Sequence, residues 1–202
     1  MAKSLITKKK LQRAGVGTVF SPRDLEDLGL SYYELRKAED RGTVERVSRG
    51  LYRLSRVEPT EHHSLALVCA QVPDAILCLL SALSYHEIGT QLPREVWIGI
   101  PRGNREPTPN GAPIRVVHFS GASLTYGVQE IKIEGVPAKV TSPARTVADC
   151  FRFRRVVGRD VALEALREAL RERKATRSEI LQAADACRAR TVVRPYLEAM
   201  SE

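Results

Sequence analysis

Between Ser21 and Gly42 the chain sets out two helix starts and two helix stops within about twenty residues. Ser21-Pro22 supplies a side-chain oxygen to cap a helix and then a proline at the first helical position, where its missing N–H costs nothing. Leu25 and Leu28 give the helix that follows one apolar side, and Gly29 can take the left-handed conformation that ends it. Two residues later Ser31-Tyr32-Tyr33-Glu34 fits the reciprocal capping box, in which Ser31 bonds forward to a free backbone N–H and Glu34 reaches back. Leu35 and Ala38 form the inward side of this second helix until Gly42 stops it. Helices this short do not persist alone. The pattern therefore predicts a packed unit of helix, tight glycine turn and helix.

The flanks complete that unit. Leu5, Ile6 and Leu11, set among Lys3, Lys8, Lys9, Lys10 and Arg13, predict a first helix stopped at Gly15 or Gly17. After Gly42, Thr43 to Val47 and Leu51 to Leu54 read as strands joined around Ser48-Arg49-Gly50, a hairpin with arginine at its tip. A helix before the pair and a hairpin behind it make a winged helix-turn-helix, whose second helix can enter the DNA major groove. That helix should then present Ser31, Tyr32, Tyr33, Arg36 and Lys37. Arg36 is the candidate for a bidentate contact to guanine, worth about 1–3 kcal/mol of discrimination. Lys37 and the Ser31 hydroxyl suit phosphates, which position without specifying. One of Tyr32 and Tyr33 is expected to face DNA and the other to pack inward. Arg49 could enter the minor groove, with Arg46 and Arg53 beside it. The competing readings are a solvated hairpin edge kept from aggregating by charge and a winged helix that binds protein.

Charge favours DNA over those readings. The net charge is +8, and residues 1–57 hold 13 Lys and Arg against 7 Asp and Glu, while the remainder holds 19 against 17. A concentrated basic face is what counterion release from phosphates uses. With 43% hydrophobic and 28% charged residues, the chain is expected to be globular. No apolar run approaches the roughly 20 residues that span a bilayer, and the basic opening is not followed by an apolar signal segment. A cytoplasmic location is the default expectation. Cys69, Cys78, Cys150 and Cys187 stand singly on apolar stretches and read as buried reduced thiols.

From Glu58 the character changes, so the expected domains are a DNA-binding unit over 1–57 and a mixed α/β region over 58–202. Glu61 to Val72 and Asp74 to Ile88 read as apolar helices. Glu95 to Ile100, Ile114 to Phe119, Val128 to Ile133 and Val136 to Val140 read as strands, the last pair joined at Glu134-Gly135. Pro101 to Pro113 is a loop rich in Pro and Gly. Ser142-Pro143 opens a helix to about Phe153. Val161 to Arg173 forms another, with Leu163, Leu166 and Leu170 on one side and Glu164/Arg167 and Glu168/Arg171 outside. Thr176-x-x-Glu179 caps a third, and Thr191 to Met200 forms a last short one. The expected class is α+β: a winged helix followed by a small, mostly antiparallel sheet and a C-terminal helical bundle.

The second region offers little for catalysis. Glu130-Ile131-Lys132 matches half of a metal-dependent nuclease strand, but the preceding acid such a metal cage needs is missing, because Asp74 is the sole aspartate between Asp40 and Asp149. The turn around Arg102-Gly103 lacks the G-K-[ST] of a P-loop. Ser81, Ser84 and His86 share a stretch with Glu87 without forming a nucleophile arrangement. The histidines and cysteines have no zinc spacing. The expectation is no catalytic residue, metal or cofactor.

Several segments in consistent order resemble the AbiEi antitoxins of type IV abortive-infection toxin–antitoxin systems. They are the winged helix ending in Arg49-Gly50-Leu51-Tyr52-Arg53-Leu54, then Leu80-Ser81-Ala82-Leu83-Ser84-Tyr85-His86 with Glu95-Val96-Trp97-Ile98-Gly99-Ile100-Pro101, and then Val140-Thr141-Ser142-Pro143-Ala144-Arg145-Thr146-Val147-Ala148-Asp149. The resemblance implies a bacterial protein whose N-terminal domain binds double-stranded repeats in its own promoter and represses its operon. Its second domain would counter a nucleotidyltransferase toxin, with no stable complex required. Arg145 and Asp149 fall in the family's S-P-x-R-T stretch, and their spacing favours a structural i,i+4 pair. Two alternatives come from other classes: a nuclease-like or nucleotide-modifying enzyme that uses the winged helix to find its substrate, and a plain regulator responsive to a small ligand.

Overall fold

A computed structural model describes residues 6–13, 18–26, 28–48, 50–55 and 60–200. Their contacts divide the chain into two compact units, one of residues 1–73, 109–112 and 131–138, the other of 74–108, 113–130 and 139–202.

In the first unit the chain runs through α1 (Lys8–Arg13), β1 (Val19–Phe20), α2 (Pro22–Glu26), α3 (Tyr32–Asp40), β2 (Val44–Ser48), β3 (Leu51–Leu54) and α4 (His63–Gln71). The antiparallel sheet has the order β1-β3-β2. β1 is two residues long and carries no periodic pattern, which is why it is invisible in sequence. Register between β2 and β3 runs from Val44 opposite Leu54 to Arg46 opposite Tyr52, then shifts so that Ser48 faces Leu51. Val47 is the extra residue of that bulge. Leu11, Phe20, Leu25, Leu30, Leu35, Ala38, Val44, Tyr52 and Leu54 close one core. Each fully buried leucine stabilises by about 1.5–3 kcal/mol relative to exposure, enough to hold helices of five and nine residues that would otherwise melt.

The second unit adds β4 (Ile76–Leu77), α5 (Leu79–Tyr85), β5 (Val96–Pro101), β6 (Ile114–Phe119), β7 (Val128–Ile133), β8 (Val136–Thr141), α6 (Pro143–Arg152), α7 (Arg154–Val157), α8 (Arg159–Arg171), α9 (Arg177–Ala186) and α10 (Arg190–Ala199). Its sheet has the order β6-β5-β4-β8-β7, and the turn between β7 and β8 falls in the segment 131–138 that groups with the first unit. The α+β class holds, and the pairings refine it. β4 is antiparallel to β5, but β5–β6 and β4–β8 are parallel. The long Pro-rich connection between β5 and β6 permits this, since a parallel crossover needs about a dozen residues.

One expected helix is corrected. Asp74 to Ile88 is helical only from Leu79 to Tyr85, and Ile76–Leu77 is a strand with neighbours on both sides. A strand buried on both faces reads as an unbroken apolar run, which periodicity cannot separate from a buried helix. The helix caps fare better: the Arg145 N–H donates to Ser142 Oγ, and Thr176 and Glu179 form a full capping box. On α8 the buried line is Ala162, Ala165, Leu166 and Ala169, with Leu163 and Leu170 half-buried at its margins. Glu164 and Glu168 do more than face solvent. Glu164 accepts from Thr90 N–H and Oγ1–H, and Glu168 from Gly89 N–H at 2.7 Å. No helix among the described residues is long and apolar enough to cross a membrane.

Candidate nucleic-acid interface

The turn that presents α3 depends on Gly29, whose φ of +66° favours glycine. Leu30 N–H donates to Leu25 O at 3.0 Å, closing the turn. At the start of α3 the Ser31 N–H donates to Glu34 Oε2 at 2.8 Å, the Ser31 hydroxyl donates to the same oxygen at 3.1 Å, and the Glu34 N–H reaches Ser31 Oγ at 3.4 Å. The Ser31 hydroxyl is therefore committed to the cap, and it fixes where the helix begins. Leu35 and Ala38 turn inward as expected.

Tyr32 and Tyr33 are both 60% exposed, so the expectation that one would pack inward is corrected. The core beneath them is already filled by Leu35 and by Tyr52 from β3. Each tyrosine instead has its own neighbour. The Tyr32 phenol lies near that of Tyr52, and burial together with this neighbour raises the Tyr52 pKa. Tyr52 stacks on Phe20 with ring centroids 6.3 Å apart. The Lys37 ammonium lies 4.4 Å from the centre of the Tyr33 ring, a cation–π contact. Arg36 projects beside them, its guanidinium 3.8 Å from Glu39. That exposed pair is worth about 0–1 kcal/mol and can be exchanged for another anion. Arg46 faces Tyr52 across the β2–β3 ladder and acts electrostatically on the same phenol. Tyr32, Tyr33, Arg36, Lys37 and Arg46 are thus brought onto one face of the first unit.

Arg53 is placed elsewhere. Its Nε and Nη2 reach Glu45 Oε1 at 2.8 and 2.6 Å, and Nη1 approaches His63 Nε2 at 3.4 Å. A guanidinium can only donate, so His63 Nε2 accepts and the ring proton sits on Nδ1, which meets Glu134 Oε2 at 2.8 Å. The other oxygen of Glu134 accepts from Thr60 N–H and Oγ1–H at 2.9 and 2.8 Å. Burial alone would raise the Glu134 pKa, but these bonds outweigh it and hold the carboxyl below its usual range. Arg53 anchors the wing strand to this chain of bonds. Arg49 lies outside the described residues.

Sequence reasoning missed the roles of Tyr52, His63 and Glu134. Tyr52 carries a period-two signal as an inward residue of Leu51–Leu54, but its hydroxyl's partner depends on tertiary packing. His63 and Glu134 lie 71 residues apart, and no local signal links them. Glu130 and Lys132 stand exposed on β7. The four cysteines are buried free thiols, and burial pushes Cys187 up to about 11 and Cys69 to about 12, which leaves them protonated and unreactive near neutral pH.

A capped, solvent-facing helix packed beside a three-stranded sheet is the arrangement of a winged helix-turn-helix. Residues 5–55 match the family described as "Transcriptional regulator, AbiEi antitoxin", so the expected relationship to AbiEi antitoxins holds for the N-terminal region. No curated protein matches the chain. Among solved structures, the chain is similar to the Rv2827c protein from Mycobacterium tuberculosis, with a TM-score of 0.51 and 12% identity over 96% of this chain and 83% of that one. At that identity the likeness is one of fold.

Proposed function

We infer that this protein is a DNA-binding autorepressor that also serves as the antitoxin of a type IV system and counters a nucleotidyltransferase toxin. The observation that carries the DNA reading is the exposed face of α3. Two tyrosines, each with a different neighbour, stand there with Arg36 and Lys37 on a helix whose start is fixed by a complete capping box. Two aromatic rings exposed side by side form the kind of surface patch that marks an interaction site. With two cations among them, the partner they suit is a duplex groove. In this reading Arg36 reads base edges, Lys37 and Arg46 hold phosphates, Tyr32 and Tyr33 pack on sugar or a thymine methyl, and Ser31 and Arg53 hold the frame. The match over residues 5–55 supports the regulatory role, and the antitoxin role follows from the family alone.

Fluorescence anisotropy on DNA from upstream of the protein's own gene, against shuffled DNA and across a salt series, tests this. The reading expects roughly a thousandfold preference for the upstream DNA and a steep salt dependence. Equal, weak binding to both would refute it.

A further inference from the structure

We propose that a basic hollow in the second unit binds the phosphoryl groups of a small phosphate-bearing molecule. Because β5 and β6 run parallel, their C-terminal ends lie at one edge of the sheet. The segments that follow β5 and β6 therefore meet at that end. After β5 the chain turns tightly, with Asn104 N–H donating to Pro101 O at 3.1 Å. Arg102 N–H donates to Phe119 O at 2.8 Å, which pins this turn to the end of β6. α6 brings Arg152 to the same place. A hollow of about 490 Å³ lies between Arg102, Gly103, Asn104, His118, Ser120 and Arg152. That volume is within the range of small-ligand sites.

The chemistry of the wall selects the ligand. It holds two permanently charged guanidinium groups, an imidazole, an amide and a hydroxyl, and no acidic side chain. Arg152 is oriented rather than consumed: Nη1 donates to Ser123 Oγ at 2.9 Å and the guanidinium stands 5.3 Å from the centre of the Phe153 ring. The remaining N–H groups of that planar fork suit a phosphate. Among the described residues, the side chains of Arg102, Asn104 and His118 have no hydrogen-bond or ion-pair partner. Arg115 and Arg194 of this unit are paired with Glu95 and Glu198, whereas no acid stands in this wall. Here cationic and donor groups converge, and the one carboxylate that Arg152 acts on, Asp149, is buried behind the wall. His118 carries the one ring among the residues that line the hollow, and its other polar groups suit phosphoryl oxygens.

Isothermal titration of the full chain with pyrophosphate, and separately with a nucleoside triphosphate, tests this against the variants Arg102→Glu, Arg152→Gln and Arg36→Ala. Pyrophosphate is expected to bind at one site. Its affinity should fall at least about tenfold in Arg102→Glu and Arg152→Gln, and should not change in Arg36→Ala, which touches only the proposed DNA face. Arg102 is on an exposed turn, so its variant should melt with the wild type. A triphosphate that binds through the same residues, whether as tightly as pyrophosphate or more so, supports the site and distinguishes a nucleotide from the free anion. Absence of binding at millimolar pyrophosphate would overturn the proposal. So would binding indifferent to Arg102 and Arg152, or Arg102-dependent binding of single-stranded oligonucleotides alone.

Discussion

α3 and α6 are both short, side-chain-capped helices that carry an arginine followed one turn later by an acid, and they use the pair in opposite ways. Arg36 and Glu39 meet at 3.8 Å with side chains 57% and 28% exposed. Arg145 Nε and Asp149 Oδ2 meet at 2.7 Å with both side chains fully buried. Arg145 Nη2 also donates to Ser123 O at 2.8 Å, Nη1 donates to Tyr126 O, and the guanidinium lies 4.9 Å from the centre of the Phe119 ring. Close approach of the chain makes glycine necessary at residue 127, where φ is +61° and an added Cβ would stand 3.0 Å from Arg145 Cβ. Burial pushes the Asp149 carboxyl above its ordinary range even though Arg145 draws it back, and Oδ1 accepts no conventional hydrogen bond among the described residues. The first pair can release its arginine to another anion. The second is a fixed part of the core, and removing one member would leave an uncompensated charge.

The largest way to break this contrast is Asp149→Ala. It strands Arg145 in the core and should cost about 3–5 kcal/mol in urea unfolding. The double variant Arg145→Met/Asp149→Leu should recover much of that loss, and failure to do so would mean the backbone bonds to Ser123 and Tyr126 carry the stability. A smaller effect belongs to Ser31→Ala, which removes the cap of α3 and should cost about 1 kcal/mol of stability. Because the cap fixes the start of α3, binding to the protein's own upstream DNA should weaken as well. A thermal midpoint unchanged in this variant would show that the cap is dispensable. Tyr52→Phe should cost about 1 kcal/mol or less, no more than the net worth of one hydrogen bond, and should leave the core packed.

The smallest effect concerns pH. Glu134 is held below its usual range in the fold, so the stability it contributes is present above the ordinary glutamate value of about 4.3 and is lost as pH falls through the depressed one. Glu134→Gln should therefore lose less stability than the wild type between neutral and strongly acidic pH. Parallel pH curves for the two proteins would contradict the bonds drawn from His63 and Thr60.

What could be read in the sequence follows the same division. Caps at Ser31, Ser142 and Thr176 and the turns at Gly29 and Glu134-Gly135 are set by neighbours within four residues, and all of them form. The α3 face was legible too, because Leu35 and Ala38 mark which side goes inward. Distance in sequence hid the rest. Ile76–Leu77 is a strand because β5 and β8 flank it, Tyr32 stays outside a core that Leu35 and Tyr52 already fill, and Arg53 is drawn to Glu45 and His63. The i,i+4 spacing of Arg145 and Asp149 pointed to a pair, and the spacing could not say that both would be buried.

On the proposed function, the α3 face reads DNA through an arginine that exchanges Glu39 for a base edge. The decisive measurement is anisotropy of Arg36→Ala on the protein's own upstream DNA and on shuffled DNA, with the thermal midpoint measured in parallel. The prediction is a loss of about 1–3 kcal/mol confined to the upstream DNA, with no change in melting. Equal losses on both DNAs, or a fall in melting temperature that accounts for the loss, would contradict it.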